Sequence, residues 1–233
     1  LGYALAKELH ALEATVYAVS RTQADLEALK GECPGIQPVL LDIADWTKTR
    51  ETLDTIVTEP VDILINNAAI PGPLKFMEIT SGDFDEVTNI NLKSVVNISQ
   101  ICAGKMITTG RRGSIINISS MYAIRPQSRV AMYSSLKAAL DALTKTMSVE
   151  LGPHNIRVVS MNFGYMWTSM LTRRLPTEQD RQNFLARESP KFPSGNVYVP
   201  IKEAVNSILF VTSGLVDSMT GCGVLVDGGY CAA

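Results

Sequence analysis

The run Val61-Asp62-Ile63-Leu64-Ile65 is apolar at every position but one, and this constrains the fold more than any other feature of the chain. A strand with one face in water alternates apolar and polar residues. A strand that is apolar throughout must be covered on both faces. Similar short runs rich in β-branched residues stand at 15–20, 36–42, 114–119, 157–162 and 223–226. Between them lie segments of helical periodicity near 2–13, 22–31, 45–58, 83–109, 132–151 and 201–213. Strand and helix in alternation predict a parallel, doubly wound α/β sheet with helices on both faces.

Nothing divides the chain: its 233 residues contain no low-complexity linker, charge block or repeat, so residues 1–233 are read as a single domain. With 46% hydrophobic and 19% charged residues, the composition excludes disorder. The 21 Lys and Arg against 23 Asp and Glu leave a net charge of −2 and no basic surface for nucleic acid or acidic membrane. Cys33, Cys102, Cys222 and Cys231 form no CxxC pair, and with only His10 and His154 beside them no metal site is expected. Unpaired thiols suit a reducing, cytoplasmic compartment, although organellar targeting stays open because the first residue is Leu1 rather than Met. The triplets Asn97-Ile98-Ser99 and Asn117-Ile118-Ser119 lie inside apolar runs and read as chance matches to a glycosylation signal. No apolar run approaches the roughly 18–20 residues that span a bilayer. The stretch 165–200, with Pro176, Pro190, Pro193 and Pro200 among charges, predicts a mobile loop or lid over a ligand crevice.

Chemistry concentrates at Tyr133-Ser134-Ser135-Leu136-Lys137. Residues four apart share a helix face. An ammonium beside a phenol favours the phenolate, lowering a pKa that is ordinarily about 10. Alone, the pair is equally an exposed helical couple. Ser120, however, follows the strand at 114–119, Asn91 sits in the long helix 83–109, and Asn66-Asn67-Ala68-Ala69 ends another strand. All are expected at one edge of one sheet, where such sheets bind ligands.

With these residues in place, the chain resembles the single-domain short-chain dehydrogenases/reductases, from Gly2 to Val226-Asp227-Gly228-Gly229-Tyr230. The stretches 18–26, 32–36, 150–154 and 205–210 are most similar to the dicarbonyl/L-xylulose reductase and carbonyl reductase subgroup. The resemblance implies a Rossmann-like fold, a homotetramer, and NADPH-dependent reduction of a small carbonyl compound: an α-dicarbonyl, a ketose or an aldehyde. It makes Tyr133 the proton donor, Lys137 the group that tunes Tyr133 and holds the nicotinamide ribose, Ser120 the hydroxyl that orients the carbonyl, and Asn91 the anchor of a water leading from Lys137 to solvent. Gly2 corresponds to the last glycine of the turn under the pyrophosphate, Asp42 and Ile43 to the adenine contact, Asn67, Ala68 and Ala69 to the loop under the ribose, and Thr168 to the carboxamide contact.

Where the family's NAD-linked members would place an acid, this chain has Ser20-Arg21-Thr22, a guanidinium between two hydroxyls that suits a 2′-phosphate and therefore NADP(H). Met121, Tyr122, Val130, Tyr165, Met166 and Trp167 are the expected substrate-pocket positions, bulky and poor in sugar-binding groups. Asn162-Phe163-Gly164 replaces the usual Asn-Pro-Gly, which predicts a looser loop before Thr168. An NAD-linked alcohol or hydroxysteroid dehydrogenase and a non-catalytic oligomeric scaffold are the alternatives. The family pattern also starts with a strand and a Gly-rich turn ahead of Gly2. That strand lies centrally, between those at 15–20 and 61–66, and the chain is expected to lack it.

Overall fold

The computed structural model describes residues 1–58, 60–72 and 75–233. In chain order these form α1 (Gly2–Ala11), β1 (Tyr17–Ser20), α2 (Gln23–Glu32), β2 (Gln37–Leu40), α3 (Trp46–Ile56), β3 (Ile63–Asn66), α4 (Ser81–Thr88), α5 (Ser94–Thr109), β4 (Gly113–Ser120), α6 (Ala131–Leu151), β5 (Ile156–Phe163), α7 (Ser169–Thr172), α8 (Glu178–Glu188), α9 (Ile201–Thr212) and β6 (Gly223–Val226). Every residue of β4 and β5 is buried, polar Asn117, Arg157 and Asn162 included. Side chains leave β4 alternately to the two faces. Ile116 and Ile118 pack with Leu5 of α1 and with Ala204 and Ile208 of α9, whereas Ile115 packs with Ala103 and Met106 of α5.

All pairings are parallel. β3, β4, β5 and β6 lie side by side in that order, with Asn66 opposite Asn117, Ser120 opposite Phe163, and Phe163 opposite Val226. β1 and β2 form a second pair, Tyr17 opposite Gln37 through Ser20 opposite Leu40. Among the described residues no ladder joins β1 to β3, and none of them supplies the strand expected between the two.

Three local expectations change. The helix predicted over 83–109 is interrupted by a π-helical turn at Asn89–Lys93 between α4 and α5. Such bulges insert an extra residue and often mark functional positions. Here the turn carries Asn91, whose side chain bonds across to the backbone of Ile70. The segment expected as a lid over 165–200 contains two helices, α7 and α8. Thr177 and Asp180 form a reciprocal capping box that starts α8. Leu175, Phe184, Phe192 and Val197 then pack with Met121, Tyr122, Val130 and Tyr230, so burial of apolar side chains outweighs the prolines. Finally, the loop expected to loosen without its proline is pinned: Phe163 is buried and extends β5, and the Gly164 N–H donates to the Val226 carbonyl at 2.9 Å. Asn97 and Asn117 of the two glycosylation-like triplets are both 0% exposed, which leaves no access for a glycan.

Arg157, buried at the start of β5, ties the late elements together. Its guanidinium donates to the carbonyls of Val211, Ser213, Val216 and Met219 and to the Ser114 hydroxyl at 3.0–3.3 Å. Removing it strands several buried acceptors at once. Arg157→Met is expected to cost about 2–5 kcal/mol, read as a lower urea midpoint; a midpoint within error of the parent protein would refute this.

Candidate active site

The C-terminal ends of the strands open into a crevice of about 400 Å³. Ser20, Arg21 and Thr22 contribute from the turn after β1, Asp42 and Ile43 from beyond β2, and Asn67, Ala68 and Ala69 from beyond β3. Ser120 at the end of β4, Tyr133 and Lys137 on α6, and Thr168 before α7 complete the working wall. A smaller recess of about 120 Å³ adjoins it, lined by Met121, Tyr122, Val130 and Tyr165. Ser120, Tyr133, Met166 and Thr168 border both spaces. A group bound in the crevice and a molecule in the recess would therefore meet at Ser120 and Tyr133.

Ser120 is held by its own turn, its Oγ accepting from the Tyr122 N–H at 3.2 Å as the cap of a short 3₁₀ turn. Lys137 is buried, donates from Nζ to the Ile118 carbonyl at 2.6 Å, and lies 5.6 Å from the centre of the Tyr133 ring. Burial pushes its pKa down to about 8, opposed by Asp141 one helical turn along. Tyr133 departs from the expected lowering. Burial raises its phenol above the ordinary value, and the Ser120 hydroxyl and the Arg174 charge oppose that rise without overcoming it. The ammonium is spent on a carbonyl rather than on the phenol, so desolvation wins. Tyr133 thus carries its proton at neutral pH.

Two predicted site residues work from behind the wall. Asn91 is fully buried; its Oδ1 accepts from the Ile70 N–H and its Nδ2 donates to the Ile70 carbonyl, both at 2.8 Å. Its amide thereby clamps the loop that carries Asn67, Ala68 and Ala69. Gly2 begins α1 beside Asn67, where a Cβ would stand 2.6 Å from Nδ2. A side chain there would displace that loop.

The crevice suits a dinucleotide. At the end of β1, Ser20 Oγ accepts from the Thr22 N–H at 3.1 Å, which fixes the turn, and among the described residues Arg21 has no carboxylate within ion-pair distance. An unpaired guanidinium between two hydroxyls matches a phosphomonoester in charge and geometry. The N-terminal end of the ten-residue α1 borders the same crevice through Leu1, and a helix N-terminus favours anions.

A family model for short chain dehydrogenases matches residues 1–179. The chain belongs to the short chain dehydrogenase family. Over its whole length this dehydrogenase is 41% identical to L-xylulose reductase of Bos taurus, covering 92% of that protein. It is 41% identical to carbonyl reductase [NADPH] 2 of Sus scrofa, covering 93% of it. Among solved structures, a gluconate 5-dehydrogenase from Burkholderia cenocepacia J2315, in complex with NADP and tartrate, aligns with a TM-score of 0.87 at 26% identity over 98% of this chain and 90% of that one.

The recess of this dehydrogenase differs from expectation in one wall residue and gains others. Trp167 does not line it; the indole is 41% exposed, packed edge-on against Tyr198 at 5.2 Å and under the Arg181 guanidinium. Arg174, Leu171 and Met170 take part instead, brought in by α7 and the turn after it. Behind them the hydroxyls of Tyr122 and Tyr165 bond to each other and to Gln127, and Tyr165 reaches the buried Glu188 carboxylate at 3.3 Å. Burial opposes the charge of Glu188, but Arg187 and Lys191 hold its carboxyl below the usual carboxylate range. Nothing in the local pattern of residues 170–190 marks Arg174 or Glu188 for these places.

Proposed function

We propose that this chain is an NADP(H)-dependent carbonyl reductase that converts a small α-dicarbonyl, ketose or aldehyde to the alcohol. The observation that carries this reading is the wall shared by crevice and recess, where Ser120 and Tyr133 stand between the two spaces. The names of the relatives from Bos taurus and Sus scrofa support the reaction and the cofactor. A recess of about 120 Å³ is well below the roughly 300–1,000 Å³ of drug-sized pockets, which favours a substrate of few heavy atoms.

Bound NADPH supplies the hydride that reduces the carbonyl carbon. The protein contributes position and a proton. Ser120 donates a hydrogen bond to the carbonyl oxygen and fixes its direction. Tyr133 passes its phenolic proton to that oxygen as negative charge develops there. Lys137 stabilises the phenolate that remains and holds the ribose. Ser20, Arg21 and Thr22 would hold the 2′-phosphate, and Asp42 and Ile43 would border the adenine.

The test is NADPH oxidation with α-diketones and ketopentoses as a function of pH. The sign follows from the two pKa values. Tyr133, raised, stays protonated through the neutral range, whereas Lys137 loses its charge above about 8. kcat/KM for reduction should be level below that value and fall about tenfold per further unit above it. A rate that rises through pH 8 would contradict the assignment, and no turnover of any carbonyl would end the reading.

A further inference from the structure

We propose that Arg174 makes this site select carbonyl substrates that carry a carboxylate within one or two carbons of the reacting carbonyl. The inference deepens the reductase reading and rests on it. Among the described residues lining the recess, Arg174 alone is charged; its neighbours there are apolar, aromatic or hydroxyl side chains and Gly164. Among the described residues its guanidinium has no carboxylate within ion-pair distance. Arginines farther along the same segment are engaged, Arg181 with Glu178 at 3.4 Å and Arg187 with Glu188 at 2.7 Å.

A guanidinium carries five donors in a rigid fork, and a carboxylate accepts two of them together. A neutral diketone or a sugar offers the same donors only uncharged acceptors. Arg174 lines the same small recess as Ser120 and Tyr133. Its size keeps any second functional group of the substrate near these side chains. A carboxylate a few atoms from the carbonyl therefore lies within the guanidinium's field while the carbonyl faces Ser120 and Tyr133.

The experiment compares matched acids and neutral ketones with NADPH: 2-oxobutanoate against 2,3-pentanedione, and acetoacetate against 2,4-pentanedione. In the parent enzyme at least one acid is expected to exceed its neutral partner in kcat/KM by about tenfold or more. Arg174→Gln should lower that ratio about tenfold, and Arg174→Lys, which keeps the charge but not the fork, should restore part of it. Using the ratio removes any change in Tyr133 acidity, because that alters acid and ketone alike. Neutral ketones reduced with no acid preferred, or an acid preference that survives Arg174→Gln within twofold, overturns the proposal. If no compound of either kind consumes NADPH, the failure lies in the reductase reading and this inference falls with it.

Discussion

Tyr133→Phe is expected to lower kcat for carbonyl reduction by about 10²–10⁴, the range that a positioned general acid contributes. The substitution keeps the ring that lies over Lys137 and removes only the hydroxyl. Packing should survive, so the thermal midpoint and cofactor affinity stay near those of the parent while turnover collapses. The magnitude rests on the protonation state argued above. A phenol raised by burial is a reservoir of the proton that the developing alkoxide requires, and among the described residues the only other protonated groups that border both the crevice and the recess are the Ser120 and Thr168 hydroxyls. Such hydroxyls hold their protons far too tightly to replace it. A variant that keeps more than a tenth of the parent kcat would remove Tyr133 from the mechanism.

Arg21→Asp should shift the ratio of kcat/KM for NADPH over NADH by about 10²–10³ toward NADH. Part of this is the loss of charge-assisted hydrogen bonds to a phosphate, worth about 10–100-fold. The remainder is repulsion, since the new carboxylate faces the 2′-phosphate of NADPH while accepting from the ribose hydroxyl of NADH. Because Arg21 is exposed, salt screens the interaction, and the shift should shrink as ionic strength rises. A ratio unmoved at low salt would place cofactor choice elsewhere and leave Arg21 a solvated surface cation.

The strands were readable from their isoleucine and valine content, but their burial was not: β4 and β5 are buried throughout although they carry Asn117, Arg157 and Asn162, whereas the more apolar β3 leaves Ile63 exposed. Helix starts at Thr80 and Thr177 carried their own signal, a threonine followed three residues later by an aspartate. The helix expected at 83–109 starts just after the first of these, and none is expected around the second, between Pro176 and Pro190. The π-turn at Asn89–Lys93 left no such mark. Its residues have ordinary helical periodicity, and Asn91 is held there by the backbone of Ile70, 21 residues earlier. Trp167 and Arg174 exchanged roles for a similar reason. An indole two residues after Tyr165 reads as pocket lining, until Tyr198 and Arg181 offer it a better partner outside.

By itself the sequence determined the parallel α/β class and the placement of Tyr133 and Lys137 on one helix face, because the periods of strand and helix are local and repeat every few residues. It also placed Ser120 and Asn67 at strand ends, where ligands of such sheets gather. Only the tertiary structure decided that Lys137 spends its proton on Ile118, that Tyr133 is raised rather than lowered, that Asn91 clamps a loop, and that Arg174 faces the recess. Each of these depends on desolvation or on a partner far away in the chain, and neither quantity exists until the helices close over the sheet.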